Sequence, residues 1–326
     1  MKTENRGLKF FLITLLISLP FWWGVNVLEK NLKEAFWGQE MTQNPKILIA
    51  QINQEIFETN LKNLTPLKVQ KEDLGLEAKS ALSLLAREDF TDKLLFEKNI
   101  NQSLAIASLT KLMTAYVVLE NYDLSKEIKI SKEAVEQEED FGKLKEGKQF
   151  PVEYLLYPLL MESSNDAAFS LANDYDGMTE EKFVELMNIE ALKLGLKNSH
   201  FFNSTGLDPE NPEEPINYST AEDLAEFIDY LLKTKPLIWE ILSTPKYDSY
   251  GPELINTNKF LGESAYWQTR IVGGKTGWTP RAKGCLLLVL EAPKGQGWII
   301  NVILASKDRF EEMKKLVDWI YQSYKW

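Results

Sequence analysis

Three apolar runs near the end of the chain, residues 269–276, 284–291 and 298–305, constrain its fold more than any other feature. Each is short, rich in aliphatic side chains and bounded by turn residues, the pattern of strands. Pro293-Lys294-Gly295-Gln296-Gly297 turns the chain between the last two. A second pair of strand-like runs, 81–86 and 94–96, lies far upstream and reads as a hairpin. Between the two sets the period changes. Residues 152–160, 167–173, 180–194 and 221–232 space their apolar side chains as helices do, so a helical subdomain is expected over about 121–260. A final amphipathic helix opens at the capping pattern Asp308-x-x-Glu311 and carries Phe310, Met313, Leu316, Val317 and Ile320. Strands from both chain ends around a helical insertion predict an α/β chain of the α+β type. An antiparallel sheet is flanked by helices, and the site lies at the seam.

The segment feeding that insertion, Leu104 to Tyr122, contains no Gly or Pro and spaces Leu109, Leu112, Met113, Tyr116, Val117 and Leu119 helically. At its head stand Ser108-Leu109-Thr110-Lys111. Residues i and i+3 share a helical face, so a helix opening at Ser108 brings Lys111 beside the hydroxyl. A cation in a first turn opposes the helix dipole, where Asp or Glu is favoured. Burial and the dipole both favour a neutral lysine amine, which can accept the serine's proton. An isolated pair of this spacing is nonetheless more often structural than catalytic. Ser243-Thr244-Pro245-Lys246 repeats it around a proline that breaks a helix, and reads as chance.

Two triplets follow Ser108 in order, Ser163-Ser164-Asn165 and Lys275-Thr276-Gly277. The ordered trio resembles the active-site serine penicillin-recognising enzymes. The segments Ile106–Thr114, Ser164–Ala168, Asn203–Asp208, Tyr218–Leu224 and Lys275–Thr279 are similar to the D-alanyl-D-alanine carboxypeptidases among the low-molecular-mass penicillin-binding proteins. The resemblance runs from about residue 79 to 307.

That resemblance implies a β-lactamase-like, penicillin-binding transpeptidase fold and a serine-type D-Ala-D-Ala carboxypeptidase. Its substrate is a peptidoglycan stem peptide, and β-lactams acylate it. Ser108 would attack, Lys111 would take its proton, Ser163 would relay a proton to the leaving amine, and Asn165 would hold a substrate amide. Lys275 and Thr276 would bind the terminal carboxylate. The glycines Gly273, Gly274 and Gly277 would leave a strand edge bare for an extended peptide. An ideal strand points Lys275 and Thr276 to opposite faces, so a twisted or bulged edge is expected. The backbone amides of Ser108 and Trp278 would form the oxyanion hole. Three departures stand out. Ser164 replaces the family's glycine and is expected to narrow the cleft or change the rate of water attack. Lys283 interrupts Ala282-Lys283-Gly284, where the family commonly reads Ala-Gly. The chain is also expected to lack, after its last helix, the β-rich second domain and C-terminal anchor of many relatives. Endopeptidase action on cross-links, a β-lactamase using Glu213-Glu214-Pro215-Ile216-Asn217, and a non-catalytic wall binder are the alternatives.

Composition excludes other classes. A net charge of −11 with no basic cluster argues against nucleic acid. The single cysteine, Cys285, lies in an apolar run and reads as core; the single histidine, His200, is not needed by a serine that has a lysine. No metal or cofactor is expected. Residues 10–27 are almost uncharged and follow Lys2, Arg6 and Lys9, with Trp22-Trp23-Gly24 where a cleavage site would need small residues. Residues 1–28 are therefore expected to be an uncleaved transmembrane anchor with the N-terminus inside a bacterial cell membrane and the enzyme outside. Residues 29–73 form a stalk or lead-in, and 74–326 the peptidase domain. Asn63-Leu64-Thr65, Asn101-Gln102-Ser103 and Asn203-Ser204-Thr205 match the glycosylation pattern by chance.

Overall fold

Burial on both faces explains why the strands of the central sheet are so apolar. The structure, a computed structural model, describes residues 27–28, 66–69, 73–87, 92–138, 143–262, 267 and 269–326. The chain divides into two units, Met1–Asn63 and Leu64–Trp326, and the sheet belongs to the second. Its strands are β1 (Ser80–Ala86), β2 (Lys93–Lys98), β3 (Ile271–Thr279), β4 (Lys283–Glu291) and β5 (Trp298–Ser306). They form one antiparallel sheet in the order β3-β4-β5-β1-β2, so the chain ends meet where β5 pairs with β1. Successive side chains of β4 alternate between two cores. Leu287 and Val289 join the helical side, while Leu286, Leu288 and Leu290 pack with Met313, Leu316 and Ile320 of the last helix.

The longer helices among the described residues are α1 (Lys111–Asn121), α2 (Val152–Tyr157), α3 (Asn165–Asn173), α4 (Glu180–Lys193), α5 (Ala221–Thr234), α6 (Pro236–Ser243) and α7 (Arg309–Ser323). Asp308 caps α7 by accepting from the N–H groups of Phe310 and Glu311, as its sequence pattern indicates. Helix α6 and the hairpin of Glu127–Lys129 with Gln149–Pro151 are not among the sequence expectations. Eight residues led by a proline give α6 too little periodicity to detect. The lead-in strand Leu67–Lys68 pairs with Tyr324–Lys325, joining the start of this unit to the end of the chain. Among the described residues no helix is long and apolar enough to cross a membrane. The expected anchor, residues 1–28, lies outside those residues apart from Val27 and Leu28.

Candidate active site

Ser108 sits in a 3-10 turn, Ala107–Thr110, and α1 begins only at Lys111. The expected α-helix opening at Ser108 is thus corrected to a tighter turn, in which side chains at i and i+3 eclipse. Lys111 Nζ lies 3.2 Å from Ser108 Oγ. The lysine is fully buried, and Nζ also donates to Asn165 Oδ1 and to the carbonyl of Thr205, each at 2.6 Å. Backbone strain marks the approach, because Ala107 has φ 47° although it is not glycine. Gly206, at φ 83°, makes room for it: a Cβ there would stand 2.1 Å from the carbonyl oxygen of Ala107.

The second triplet arrives from α2. Pro158 cannot donate a backbone N–H, and the helix widens into a π turn over Pro158–Glu162. Ser163 ends it in the left-handed region, φ 67° and ψ 29°, and its side chain stays half-exposed. Ser164 then caps α3, its Oγ accepting from the N–H of Ala167 at 3.2 Å. Ser164 is fully buried in this capping position. Asn165 opens α3 and donates through Nδ2 to the carbonyl of Glu138 at 2.7 Å. Both ends of its amide therefore have protein partners, one of them Lys111.

Strand β3 brings the third triplet along a sheet edge. Lys275 is fully buried, and its Nζ donates to Ser163 Oγ at 2.8 Å and to the carbonyl of Thr276 at 3.0 Å. Thr276 Oγ1 shares a hydrogen bond of 2.8 Å with Thr257 Oγ1. Thr257 in turn donates its N–H to Met161, two residues before Ser163, at 2.9 Å. Thr257 was not visible as a site residue in sequence; the only signal is a polar Asn256-Thr257-Asn258 directly after the apolar Leu254-Ile255. The expected irregularity of the edge lies upstream, between Ile271 and Gly273, and the register is regular from there to Thr279. The glycines also serve packing. A Cβ at Gly273 would meet Leu242 and Trp239 of α6, one at Gly274 the carbonyl of Leu287, and one at Gly277 the backbone nitrogen of Ser108 at 3.1 Å. These glycines allow close packing of the strand. Trp278 follows at the rim, 53% exposed. Asp208 ties the turn after Gly206 to the end of β3, accepting from Thr279 Oγ1 and the N–H of Arg281, each at 2.9 Å.

Other candidates lie elsewhere. Ser243 Oγ donates to the carbonyl of Glu240 at 3.0 Å while Lys246 pairs with Glu253, so this repeat of the spacing makes no couple. His200 joins Tyr218 through backbone hydrogen bonds and packs on Phe202. Glu213 and Glu214 are exposed in a turn held by Asn211. Cys285 is buried behind β3, and desolvation pushes its thiol up to about 11. Among the described residues no group of three or more His, Cys, Asp or Glu is placed to hold a metal.

A family model described as D-alanyl-D-alanine carboxypeptidase matches residues 68–308. The D-alanyl-D-alanine carboxypeptidase DacF of Bacillus subtilis is 34% identical over 267 residues, 77% of this chain and 64% of that protein. A D-alanyl-D-alanine endopeptidase of Pseudomonas aeruginosa is 34% identical over 215 residues, 63% of this chain and 66% of that protein. This chain spans about 64% of the length of DacF and of the Escherichia coli DacA that it also matches. Among solved structures, penicillin-binding protein D2 of Listeria monocytogenes with cefotaxime bound superposes with a TM-score of 0.65 at 27% identity, covering 77% of this chain and all of that one. The Streptomyces K15 DD-transpeptidase gives 0.67 at 26% identity, covering 78% of this chain and all of that one.

Proposed function

This chain belongs to the D-alanyl-D-alanine carboxypeptidase family, and from that premise we propose that it is a serine-type enzyme removing the terminal D-alanine from peptidoglycan stem peptides. The setting of Lys111 carries the reading. A neutral amine has two N–H donors and one lone pair. Nζ donates to Ser108 Oγ at 3.2 Å and to Asn165 Oδ1 and Thr205 O at 2.6 Å each; once neutral, the amine at this position turns a lone pair to the same hydroxyl. Full burial also penalises the ammonium form. Ser108 Oγ then attacks the carbonyl between the two D-alanines while its proton passes to Lys111. The oxyanion is received by the backbone N–H groups of Ser108 and Trp278. Ser163, held by Lys275, gives its proton to the leaving amine and is reprotonated by the proton that Lys111 took from Ser108, so D-alanine departs and Lys111 is neutral again. Lys275 and Thr276 bind the terminal carboxylate, and Asn165 borders the peptide. Water attacks the ester of the acyl-enzyme and frees Ser108. A β-lactam follows the same path to an ester that water attacks slowly, which makes it a covalent inhibitor.

Endopeptidase action on cross-links is the second reading, favoured by the identity to a protein of that name. A β-lactamase reading finds less support, because Glu213 and Glu214 lie in an exposed turn. Residues 10–27 anchor the enzyme in a bacterial membrane with the catalytic unit outside; their apolar length and basic flank support this. The test gives the full chain in detergent a peptide ending in D-Ala-D-Ala and, separately, penicillin. Release of free D-alanine with slow penicillin turnover is expected. Fast penicillin hydrolysis without D-alanine release sinks the proposal, and covalent labelling of Ser108→Ala by penicillin sinks the nucleophile assignment.

A further inference from the structure

Arg309 occupies the first residue of α7, where a cation opposes the helix dipole. Its half-buried side chain reaches under the sheet, and Nη1 donates to the carbonyl of Gly277 at 3.0 Å. The fold makes space for this reach. Gly284, opposite Trp278 in the register, would carry a Cβ only 3.2 Å from that of Arg309, and the β4–β5 register shifts between Gly284 and Leu286.

The carbonyl of Gly277 and the N–H of Trp278 belong to one planar trans peptide and point in opposite directions. With the carbonyl drawn to Arg309 beneath the sheet, the N–H of Trp278 is turned toward the free edge of β3. Ser108 packs over the face of this same stretch, its backbone nitrogen 3.1 Å from the position of a Gly277 Cβ. A charge-assisted hydrogen bond to the carbonyl also polarises the peptide, making its N–H a better donor. We infer that Arg309 is a positioning residue: through the Gly277–Trp278 peptide it aims and strengthens one of the two oxyanion donors. The inference rests on the proposed acyl-transfer reaction.

The test compares full-length wild type with R309M and R309K. The readouts are penicillin acylation, acyl-enzyme hydrolysis, KM for a D-Ala-D-Ala peptide, and the infrared carbonyl stretch of the acyl-enzyme. Because both half-reactions pass through an oxyanion, R309M should slow acylation and deacylation together. The expected loss is on the order of tenfold, a fraction of the ~10²–10³ that follows removal of a whole donor. KM should stay within twofold, the acyl carbonyl stretch should move to higher frequency, and R309K should recover part of both changes. Unchanged rates in R309M, a loss confined to KM, or an unshifted carbonyl stretch overturns the inference. Should R309M not fold, R309Q undergoes the same measurements against the same criteria. A wild type that forms no acyl-enzyme defeats the carboxypeptidase reading and this inference with it. A wild type that acylates beside an unaffected variant defeats the inference alone.

Discussion

Gly206→Ala should disable the site without touching any side chain that does chemistry. The added Cβ would stand 2.1 Å from the Ala107 carbonyl oxygen and 2.9 Å from Thr110 Oγ1, where ordinary contact begins near 3.4 Å. Some 1.3 Å of separation must therefore be found between 3.4 and 2.1 Å. The obstacle is backbone, and it belongs to a residue already at φ 47°. Holding a non-glycine residue in the left-handed region costs about 1–2 kcal/mol, and overpacking adds about 1–3 kcal/mol. The sum, roughly 2–5 kcal/mol, corresponds to a fall in Tm of about 5–15 °C for a unit of this size. Catalysis should suffer separately. Gly206 follows Thr205, whose carbonyl holds Lys111, and it abuts the turn that carries Ser108. A misplacement of about 1 Å can cost on the order of 100-fold. Gly195→Ala is the control, since Gly195 has φ 79° but nothing within 4 Å of its Cβ. It carries the conformational strain without the collision. The assay follows thermal melting and acylation by a fluorescent penicillin for both variants. If Gly206→Ala acylates within twofold of wild type, or melts no lower than Gly195→Ala, the steric argument fails.

Asn165→Asp places a carboxylate where Lys111 now meets an amide oxygen at 2.6 Å. The negative charge favours the ammonium, so the base is available only at higher pH, and the acidic limb of the acylation profile should rise by about 1–3 pH units. An unmoved limb would remove Lys111 from the role of base. Ser164→Gly deletes only a helix cap, costing a few tenths of a kcal/mol, and should leave acylation and deacylation within twofold; a several-fold change in deacylation would mean that Ser164 reaches the bound acyl group. Cys285 is buried and its thiol is raised to about 11 by desolvation. Iodoacetamide at pH 8 should therefore modify it only after denaturant is added, and rapid labelling of the native chain would contradict the packing behind β3.

The strands were legible because burial on both faces leaves them mostly apolar, and the polar pair Ser83 and Asn301 inside them satisfy each other at 2.8 Å. Residues 284–291 and 298–305 differ from β4 and β5 by one residue each. The ordered triplets were legible as residue types, and the structure brings Ser108 to Lys111 and Ser163 to Lys275. What the sequence concealed is carried by backbone. The carbonyl of Thr205 has no residue-specific mark, and the collision that reserves position 206 for glycine depends on a neighbour far away in the chain. Thr257 escaped for a similar reason: its N–H meets Met161 and its hydroxyl meets Thr276, and neither contact leaves a periodic pattern.

The same point separates Ser108-Lys111 from the identically spaced Ser243-Lys246. Spacing alone places a lysine near a serine, but it does not decide what the amine's other positions meet. At Lys111 they meet oxygens contributed 54 and 94 residues away, from the head of α3 and from the loop before Gly206. At Lys246 the amine meets the Glu253 carboxylate in an exposed hairpin, and the serine turns back to its own helix. The Lys246 amine is taken up by a carboxylate away from its serine, whereas the Lys111 amine is buried within reach of the hydroxyl it would deprotonate. The chemistry of the pair therefore resides in the tertiary fold that delivers Asn165 and Thr205. Any substitution that moves those two oxygens should reduce the reactivity of Ser108 even when Ser108 and Lys111 are intact.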